Sequence, residues 1–425
     1  MFDFMDFDMS TQNVSMPSGP YIPEATDCMR CGVCLSQCPT YQLTHDEQES
    51  PRSRIRTISK IVVEQQKVTN EAIEHLQNCV QCRACEAICP SKMAYGALFD
   101  QAQEILQRQQ FKTGYSKIAF KLIEHKHAFN AVLPLLKAYQ VTGLQSLFRR
   151  LRWVKLIGLE RADKYAQLPA LSALKSVYPA RDSIGSVALF SGCISDRFDR
   201  ETLTSAISVL NNIGYDVFIP KQQNCCGAIH YHNGEQARAK ELMLNNVSVF
   251  NDLNVEAIIY CATGCGSQLS EYQQILDDEE SKIEDNFKAE LVEISNFVEQ
   301  HWPDSLSLIS SNKSVLVHEP CSQRNVLKNQ QAAYQLLTKI PDLSVSELAD
   351  NKLCCGAGGT YMLSHPDNAD ALRDMKWQHI EQTEADYLVT SNIGCAMHIA
   401  TGAKGKKPIE IIHPITLLAK QFPKE

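Results

Sequence analysis

One cysteine motif occurs twice in this chain and constrains its folding more than any other feature. Each copy has three cysteines at two-residue gaps, then a fourth after a three-residue gap, followed directly by proline. The close spacing lets one tight loop hold three corners of a metal cube, whereas the fourth cysteine lies too far along to close the same cube. Zinc ribbons also use paired Cys-x2-Cys, but they do not repeat three cysteines with a terminal Cys-Pro. The two copies consist of Cys28, Cys31, Cys34 and Cys38, and of Cys79, Cys82, Cys85 and Cys89.

This spacing is that of bacterial ferredoxins, in which the fourth cysteine ligates the neighbouring cluster. The sequence therefore predicts two [4Fe–4S] clusters whose ligand sets cross between the motifs. The predicted ligands of cluster 1 are Cys28, Cys31, Cys34 and Cys89, and those of cluster 2 are Cys79, Cys82, Cys85 and Cys38.

Composition favours metal over a disulfide framework. The chain has 425 residues and 17 cysteines, and its first ten residues are acidic where a secretion signal would be basic. Hydrophobic content of 44% and charged content of 21% indicate a folded protein of two or three domains. The net charge of −8 gives no reason to expect nucleic acid. No apolar run is long enough to predict a transmembrane helix.

The segment between the two motifs predicts helix. Residues 52–67 place Ile55, Ile58 and Ile61 on one helical face, and residues 71–78 and 97–110 also fit helices. The motif-bearing domain is therefore predicted to be an α-helical ferredoxin. Three arginines lie in this segment: Arg52, Arg54 and Arg56. The preferred interpretation is that they face solvent, and the alternative is that they lie beside the cluster thiolates.

The remaining nine cysteines form a second internal repeat. Each copy contains a Cys-Cys-Gly triplet between two other cysteine positions, and matching cysteines lie 128 to 130 residues apart. We call the copies the first and second CCG units. The first contains Cys193, Cys225, Cys226, Cys261 and Cys265; the second contains Cys321, Cys354, Cys355 and Cys395, with Ser391 at the position of Cys261.

Both CCG units show αβ character, with cysteines at or just beyond predicted strand ends, where the loops of such folds build sites. Strands are predicted at Val187–Phe190, Tyr215–Ile219, Val255–Cys261, Ser314–His318 and Tyr387–Ser391. Helices are predicted at 200–213, 235–251, 325–339 and 367–384. The acidic run Asp277–Glu280 between the copies is predicted to be a solvated loop.

The repeated cysteines predict an additional metal or redox role. Thiolates converging from three loops suit a further cluster, adjacent cysteines can also form a redox disulfide, and a reduced metal-free site is the alternative. The serine at position 391 makes the first unit, with five thiols, the better candidate for extra metal. His318 is expected to be a satisfied core histidine, with a role as ligand or as donor to a ligand as the alternative.

A basic stretch separates the ferredoxin motifs from the CCG units. Residues 117–140 and 144–157 predict amphipathic helices, and the second carries Arg149, Arg150, Arg152 and Lys155 with no acidic residue. Such a helix can lie on a membrane or contact a partner. A helix packed on one face and solvated on the other is the interpretation ranked first.

Together these motifs resemble the iron–sulfur subunit of glycolate oxidase. The resemblance runs from Asp27 to about Phe422 and includes CPTYQL at 38–43, CCGAIHYH at 225–232 and LCCGAGGTY at 353–361. It also includes SHPDNADALRDMK at 364–376 and TSNIGC at 390–395. Related subunits occur in anaerobic glycerol-3-phosphate dehydrogenase, lactate-utilisation complexes and heterodisulfide reductase.

The resemblance implies an enzyme subunit that works within a complex. Partner subunits with FAD would oxidise glycolate to glyoxylate, and this chain would pass the electrons toward an acceptor such as membrane quinone. The alternatives are a lactate or glycerol-3-phosphate dehydrogenase complex, or a catalytic subunit like that of heterodisulfide reductase. In that enzyme CCG units hold a non-cubane cluster and usually end in Cys-x2-Cys. Here the first unit has Cys-x3-Cys and the second has Ser391, which departs from that pattern.

The sequence predicts five regions. They are a disordered extension at 1–20, an α-helical ferredoxin domain at 21–110, a helical linker at 111–180, the first CCG unit at 185–300 and the second CCG unit at 312–425. We expect a cytoplasmic chain, with a peripheral position on the inner face of the cytoplasmic membrane as a further expectation.

Overall fold

A computed structural model describes residues 28–108, 126–156, 160–165, 173–276, 287 and 290–423. The predicted extension at 1–20, the first part of the predicted linker at 111–125 and the acidic run Asp277–Glu280 lie outside the described residues. The fold class is confirmed, because a helical N-terminal region precedes two αβ units.

Helices connect and follow the two ferredoxin motifs, as predicted. The helix Pro51–Val62 begins after Ser50, whose side chain accepts a hydrogen bond from the Ser53 backbone nitrogen, and it buries its isoleucine face. The α-helices of this region are Pro39–Thr44, Pro51–Val62, Asn70–Gln77, Ala84–Ala87 and Tyr95–Arg108, with short 3₁₀ turns at Val33–Gln37 and Glu47–Glu49.

The first CCG unit contains a five-stranded sheet. Its strands are β1 (Val177–Tyr178), β2 (Gly185–Phe190), β3 (Tyr215–Phe218), β4 (Ala257–Tyr260) and β5 (Leu291–Glu293). The spatial order is β1-β3-β2-β4-β5, in which β1 alone pairs antiparallel. The unit's helices are Ser195–Phe198, Arg200–Asn212, Ala228–Tyr231, Gln236–Asn251, Thr263–Ser270, Tyr272–Ile275 and Ile294–Gln300.

The second CCG unit repeats this topology with four parallel strands. They are β6 (Ser314–His318), β7 (Ser344–Glu347), β8 (Tyr387–Thr390) and β9 (Glu410–Ile412), in the order β7-β6-β8-β9. Because this order matches β3-β2-β4-β5, the predicted duplication extends to the sheets. The unit's α-helices are Ala332–Leu337, Tyr361–Ser364, Pro366–Glu381, Ile393–Ala400 and Pro414–Ala419, with a π-helix at Gln323–Leu327.

One predicted helix of the CCG units is divided, and so is the linker helix predicted at 144–157, which is interrupted between Leu144–Arg150 and Trp153–Leu156 where Arg152 has φ of 57°. Residues 325–339 form the end of the π-helix and then the short helix Ala332–Leu337, and Lys328 between them has a left-handed backbone with φ of 55°. The five predicted strands are observed within two residues of their expected ends, but β1, β5, β7 and β9 were not predicted.

The two sheets pack against one shared apolar core, and each sheet has a separate core on its opposite face. Val187 and Ile259 of the first sheet lie in the same apolar cluster as Val317 and Val389 of the second. Side chains alternate along a strand, so intervening residues face the opposite side of each sheet. There, two further clusters contain the Cys-Cys pairs, one for each unit.

The linker helices differ from the expected packing. They are Lys126–Val141, Leu144–Arg150, Trp153–Leu156 and Glu160–Tyr165. Leu147, Leu151 and Trp153 are each about half exposed, so the preferred interpretation of a helix packed on its apolar face is wrong for these residues. Among the described residues, no helix is both long and apolar enough to span a membrane.

Candidate iron–sulfur and thiol sites

The two ferredoxin motifs adopt matching backbone turns. Arg30 and Gln81 occupy equivalent positions and both have left-handed backbones, with φ of 49° and 57°. Gly32 and Arg83 are the next equivalent pair, with φ of 80° and 57°. Each left-handed residue reverses the chain locally, so that three cysteines of a motif curve around one space. Only glycine adopts this conformation without steric strain, so the non-glycine residues are held there by the surrounding structure.

The first predicted ligand set comes together in the structure. Three cysteines of the first motif line one cavity with Cys89, which the second motif contributes from beyond the short helix Ala84–Ala87. Cys85 borders the same cavity, so the two predicted sets are neighbours. The cavity's thiols are those of Cys28, Cys31, Cys34, Cys85 and Cys89.

Cys38 lies with the cysteines of the second motif. Burial raises the pKa of Cys79, Cys82 and Cys85, and the neighbouring Cys38 thiol adds to the rise at each of them. Both predicted sets are therefore brought together, although the assignment of the eight cysteines as ligands stays a prediction.

Arg54 corrects the expectation that the arginines near the motifs face solvent. Its side chain is buried, with Nη1 2.9 Å from Thr40 Oγ1 and 3.8 Å from Cys38 Sγ. Nη2 pairs with Glu49, which also accepts hydrogen bonds at 2.7 Å from His75 and 2.8 Å from Asn78. A fixed positive charge therefore lies beside a predicted cluster ligand. Arg56 is exposed, as expected.

These donors fit iron–sulfur clusters. Cluster ligands must be thiolates, and buried thiols such as Cys82 and Cys85 have pKa values well above the ordinary range, so they are protonated when free. Binding of iron would displace those protons, and the new metal–thiolate bonds would stabilise the fold around the loops.

In the first CCG unit, four thiols form a continuous group. Cys193 Sγ lies 3.3 Å from Cys225 Sγ, and the thiol of Cys226 is hydrogen-bonded to those of Cys225 and Cys265. The hydrogen bond with Cys225 lowers the pKa of Cys226, but the hydrogen bond with Cys265 and burial together raise it well above its ordinary value. The group lies on the outer face of the sheet.

Cys261 does not join this group. It comes directly after β4 and two residues after Ile259, so its side chain lies on the same face of the sheet as that of Ile259. That face belongs to the core shared by the two sheets. Its thiol pKa is raised by burial and by the carboxyl groups of Glu293 and Asp199. The fifth cysteine that distinguished the first unit in sequence is thus away from the other four. Strand alternation from Ala257 was the available signal for this placement. Ser391, at the equivalent position of the second unit, has a buried hydroxyl with no hydrogen-bond partner among the described residues.

The second CCG unit also groups four thiols. Cys321 Sγ lies 3.8 Å from Cys354 Sγ, and Cys355 Sγ lies 3.1 Å from Cys395 Sγ. All 17 cysteines are free thiols in the structure, so the adjacent pairs are not disulfides. The two units therefore offer equal numbers of converging thiols.

Two further side chains distinguish the second thiol group. His318 is buried, its Nδ1 lies 3.0 Å from Thr390 Oγ1, and burial with the nearby Lys376 ammonium lowers its pKa to about 3. Lys376 is buried close to the thiols of Cys355 and Cys354; burial lowers its pKa, whereas negative charge on those thiols would raise it. Sequence reasoning missed Lys376, because only long-range packing brings its helix to the thiols.

The second ferredoxin motif contacts the second CCG unit directly. The Cys321 thiol contributes to the raised pKa of Cys82, and the two residues line one small cavity with Ser322. Asn325 donates a 2.7 Å hydrogen bond to the Cys82 backbone oxygen. Thiols of the second predicted cluster set are therefore neighbours of the second CCG group.

A further cleft has no cysteine among its lining residues. It has a volume of about 950 Å³ and separates the linker helices from the helix Ile393–Ala400 and strand β9. Charges of both signs line it, including Arg200, Lys404 and the half-buried Asp199, whose pKa is raised to about 7 by the loss of solvent around its carboxyl group. This balance specifies no ligand class.

Comparisons with known proteins agree with this organisation. Families described as "4Fe-4S dicluster domain", "Glycolate oxidase iron-sulfur subunit, linker region" and "Cysteine-rich domain" match residues 24–93, 112–166, and 187–270 with 315–400, respectively.

Several curated proteins are similar over most of the chain. A probable glycolate oxidase iron–sulfur subunit of Bacillus subtilis is 33% identical over 396 residues, covering 89% of each chain. The glycolate oxidase iron–sulfur subunit of Escherichia coli is 29% identical over 408 residues, covering 94% of each. Lactate utilization protein A of Halalkalibacterium halodurans is 29% identical over 238 residues, 55% of this chain and 97% of that protein.

A solved structure shares the fold. A hypothetical protein from Helicobacter pylori superposes with a TM-score of 0.52 at 11% identity, covering 88% of this chain and 68% of the other.

Proposed function

The chain belongs to the family of glycolate oxidase iron–sulfur subunits, and on that premise we propose that it carries electrons from a glycolate-oxidising flavin partner toward an acceptor such as quinone. Glycolate would become glyoxylate on partner subunits that hold FAD. Two [4Fe–4S] clusters in this chain, with the crossed ligands described above, would supply one-electron transfer steps.

The observation that carries the proposal is the arrangement of thiol groups in a row. The set that contains Cys89 adjoins Cys85, and the set that contains Cys85 adjoins Cys321 through Cys82. Neighbouring redox ligands of this kind support a route for electrons through the ferredoxin region toward the second CCG unit.

The chain's own residues would shape that route. Buried apolar side chains around the motifs, including Ile55 and Met93, limit water near the ligands. The Arg54 guanidinium beside Cys38 favours the more negative, reduced state of the second set. Selectivity for the hydroxy acid would belong to the partner.

A further iron–sulfur cluster in a CCG unit is part of the proposal. Each unit offers four converging thiols, three of them buried, which is the soft donor chemistry that such clusters require.

We place the complex at the inner face of the cytoplasmic membrane. The half-exposed Leu147, Leu151 and Trp153 lie near the exposed Arg150 and Arg152 on the linker helices. Apolar and basic side chains on one surface segment are typical of peripheral contact with anionic lipid.

The second candidate function is electron transfer from a lactate-oxidising partner. The similarity to lactate utilization protein A, which extends over 97% of that protein, favours it. Because the substrate is selected elsewhere, one chain of this kind could serve either hydroxy acid.

The test is an anaerobic reconstitution with the candidate flavin subunits. Glycolate should bleach the visible cluster absorbance only when the flavin subunits are present, and lactate should do so more slowly. The chain alone should not turn over glycolate with an artificial acceptor. Turnover by the chain alone would contradict the division of labour, and bleaching by lactate but not glycolate would favour the second candidate.

A further inference from the structure

The two CCG units are unequal in a way that cysteine counting does not reveal. In the second unit, His318, Cys355 and Cys395 are all buried, and one ligand atom from each lies within 4.8 Å of the others. In the first unit, the position equivalent to His318, three residues before the first cysteine, is Phe190. The first thiol group therefore lacks the imidazole that the second possesses.

The orientation of His318 suits a ligand. Its Nδ1 is engaged with Thr390 Oγ1 at 3.0 Å, so Nε2 is the ring nitrogen that remains for a metal. Histidines that bind metals usually hold their other ring nitrogen in a hydrogen bond of this kind, which fixes both the tautomer and the ring orientation.

Lys376 adds a second asymmetry. It occupies the same place in the helix Pro366–Glu381 as Asn246 does in the helix Gln236–Asn251. Asn246 is neutral and donates a hydrogen bond to the Cys225 backbone oxygen, whereas Lys376 donates to the Asp350 backbone oxygen and lies near the thiols. A buried cation there offsets the negative charge that several thiolates would bring into the core.

We propose that the second CCG unit holds a metal centre ligated by Cys355, Cys395 and Nε2 of His318, with Cys354 and Cys321 as the remaining donors. Thiolates with one imidazole select iron or zinc and disfavour magnesium and calcium. The five donors extend beyond the shell of a single ion, since Cys354 and Cys321 lie outside the three-residue group. This favours iron in a multinuclear centre, and the site's position beside Cys82 places such a centre next to the second ferredoxin set.

The proposal does not depend on the identity of the hydroxy acid. It extends the proposed cluster in a CCG unit by assigning the unit and a nitrogen ligand. It also reverses the expectation that the first unit, with five cysteines, is the better metal site.

The test uses the full chain purified anaerobically, with iron and zinc quantified per chain. Wild-type protein should contain metal beyond the two ferredoxin clusters. His318→Phe, which installs the residue of the first unit, should lower the affinity for that extra metal by about tenfold or more. Cys261→Ser serves as the control, and it should keep all the metal.

Spectroscopy identifies the ligand directly. If the extra metal is iron, pulsed paramagnetic resonance on protein labelled with ¹⁵N-histidine should detect one coupled nitrogen, which His318→Phe removes. If it is zinc, X-ray absorption at the zinc edge should show one nitrogen among sulfur neighbours. His318→Cys should retain metal with sulfur in place of nitrogen, even if His318→Phe fails to fold.

Three outcomes would overturn the proposal. They are wild-type protein with no metal beyond the ferredoxin clusters, a full metal content in His318→Phe, and a metal spectrum without histidine nitrogen.

Discussion

The side-chain amide of Asn325 donates a 2.7 Å hydrogen bond to the backbone oxygen of Cys82, joining the second CCG unit to the second ferredoxin motif. Arg83, next in sequence, pairs with Glu271 of the first CCG unit. The second motif is therefore fixed to both units, and its loop geometry depends on residues far away in sequence.

Loss of the Asn325 contact should loosen this loop. Asn325→Leu leaves the Cys82 carbonyl without its partner, at a cost of about 1 kcal/mol. Hydrogen exchange measured by mass spectrometry should become several-fold faster in the peptide that contains residues 79–85. Gln335→Leu, at an exposed position of the same unit, is the control. Unchanged exchange in Asn325→Leu would show that this contact does not hold the loop.

Replacement of Arg54 should affect both stability and potential. Arg54→Met removes the partner of buried Glu49 and should lower the free energy of unfolding by about 3–5 kcal/mol. Because a nearby cation favours the reduced cluster, the reduction potential of the second set should fall. Arg52→Met removes a more exposed pair with Glu47 and should cost less than about 1 kcal/mol. Denaturant midpoints and a redox titration measure both effects, and equal potentials in both variants would contradict the role of Arg54.

Cys261 and Cys265 should behave differently despite their proximity in sequence. Cys261→Ser should keep the metal content unchanged and lower stability by about 1–3 kcal/mol, because a buried hydroxyl replaces a thiol that packs as a small apolar group. Cys265→Ser should impair any metal held by the first thiol group. Metal analysis of both variants checks this, and metal loss from Cys261→Ser alone would contradict the observed placement.

His413 should make stability depend on pH. Its Nδ1 accepts from the Ile415 backbone nitrogen and its Nε2 donates to the Cys261 backbone oxygen, so the ring is held neutral, and burial lowers its pKa to about 4. An unfolded histidine has a pKa near 6.5. The unfolded state therefore binds a proton first as pH falls, and the stability that is present above about pH 6.5 is lost as pH falls toward 4.

The matched variant is His413→Asn, which should lose less stability than the wild type over this range. Comparing the two chains cancels the acid sensitivity of the clusters, which both share. Denaturant midpoints at pH 7, 6 and 5 provide the measurement, and parallel pH curves would exclude a contribution from His413.

The sequence predicted what local geometry and covalent spacing determine. The spacing of Cys28, Cys31 and Cys34 lets one loop surround a cluster, and the structure brings Cys89 to that loop as the crossed arrangement requires. The αβ duplication followed from regular cysteine offsets. Burial of Arg54 could also have been predicted, because Arg54 precedes Ile58 by one helical turn on the buried face. The prediction instead followed the general preference of arginines for solvent.

Contacts between distant segments were not predictable in this way. Nothing local in the sequence around Lys376 indicates that its helix delivers the ammonium to Cys355. Likewise, the number of cysteines in a unit does not specify which of them converge, as Cys261 demonstrates. Sheet packing decides both, and it depends on the whole αβ unit.

The crossed ligation of two [4Fe–4S] clusters can be tested most directly with four serine variants of the anaerobically purified chain. Wild-type protein should contain about eight ferredoxin irons with matching acid-labile sulfide. Paramagnetic spectra of Cys38→Ser should match those of Cys82→Ser, and spectra of Cys89→Ser should match those of Cys31→Ser. If Cys38→Ser instead matches Cys31→Ser, or if the chain holds zinc without labile sulfide, the account is contradicted.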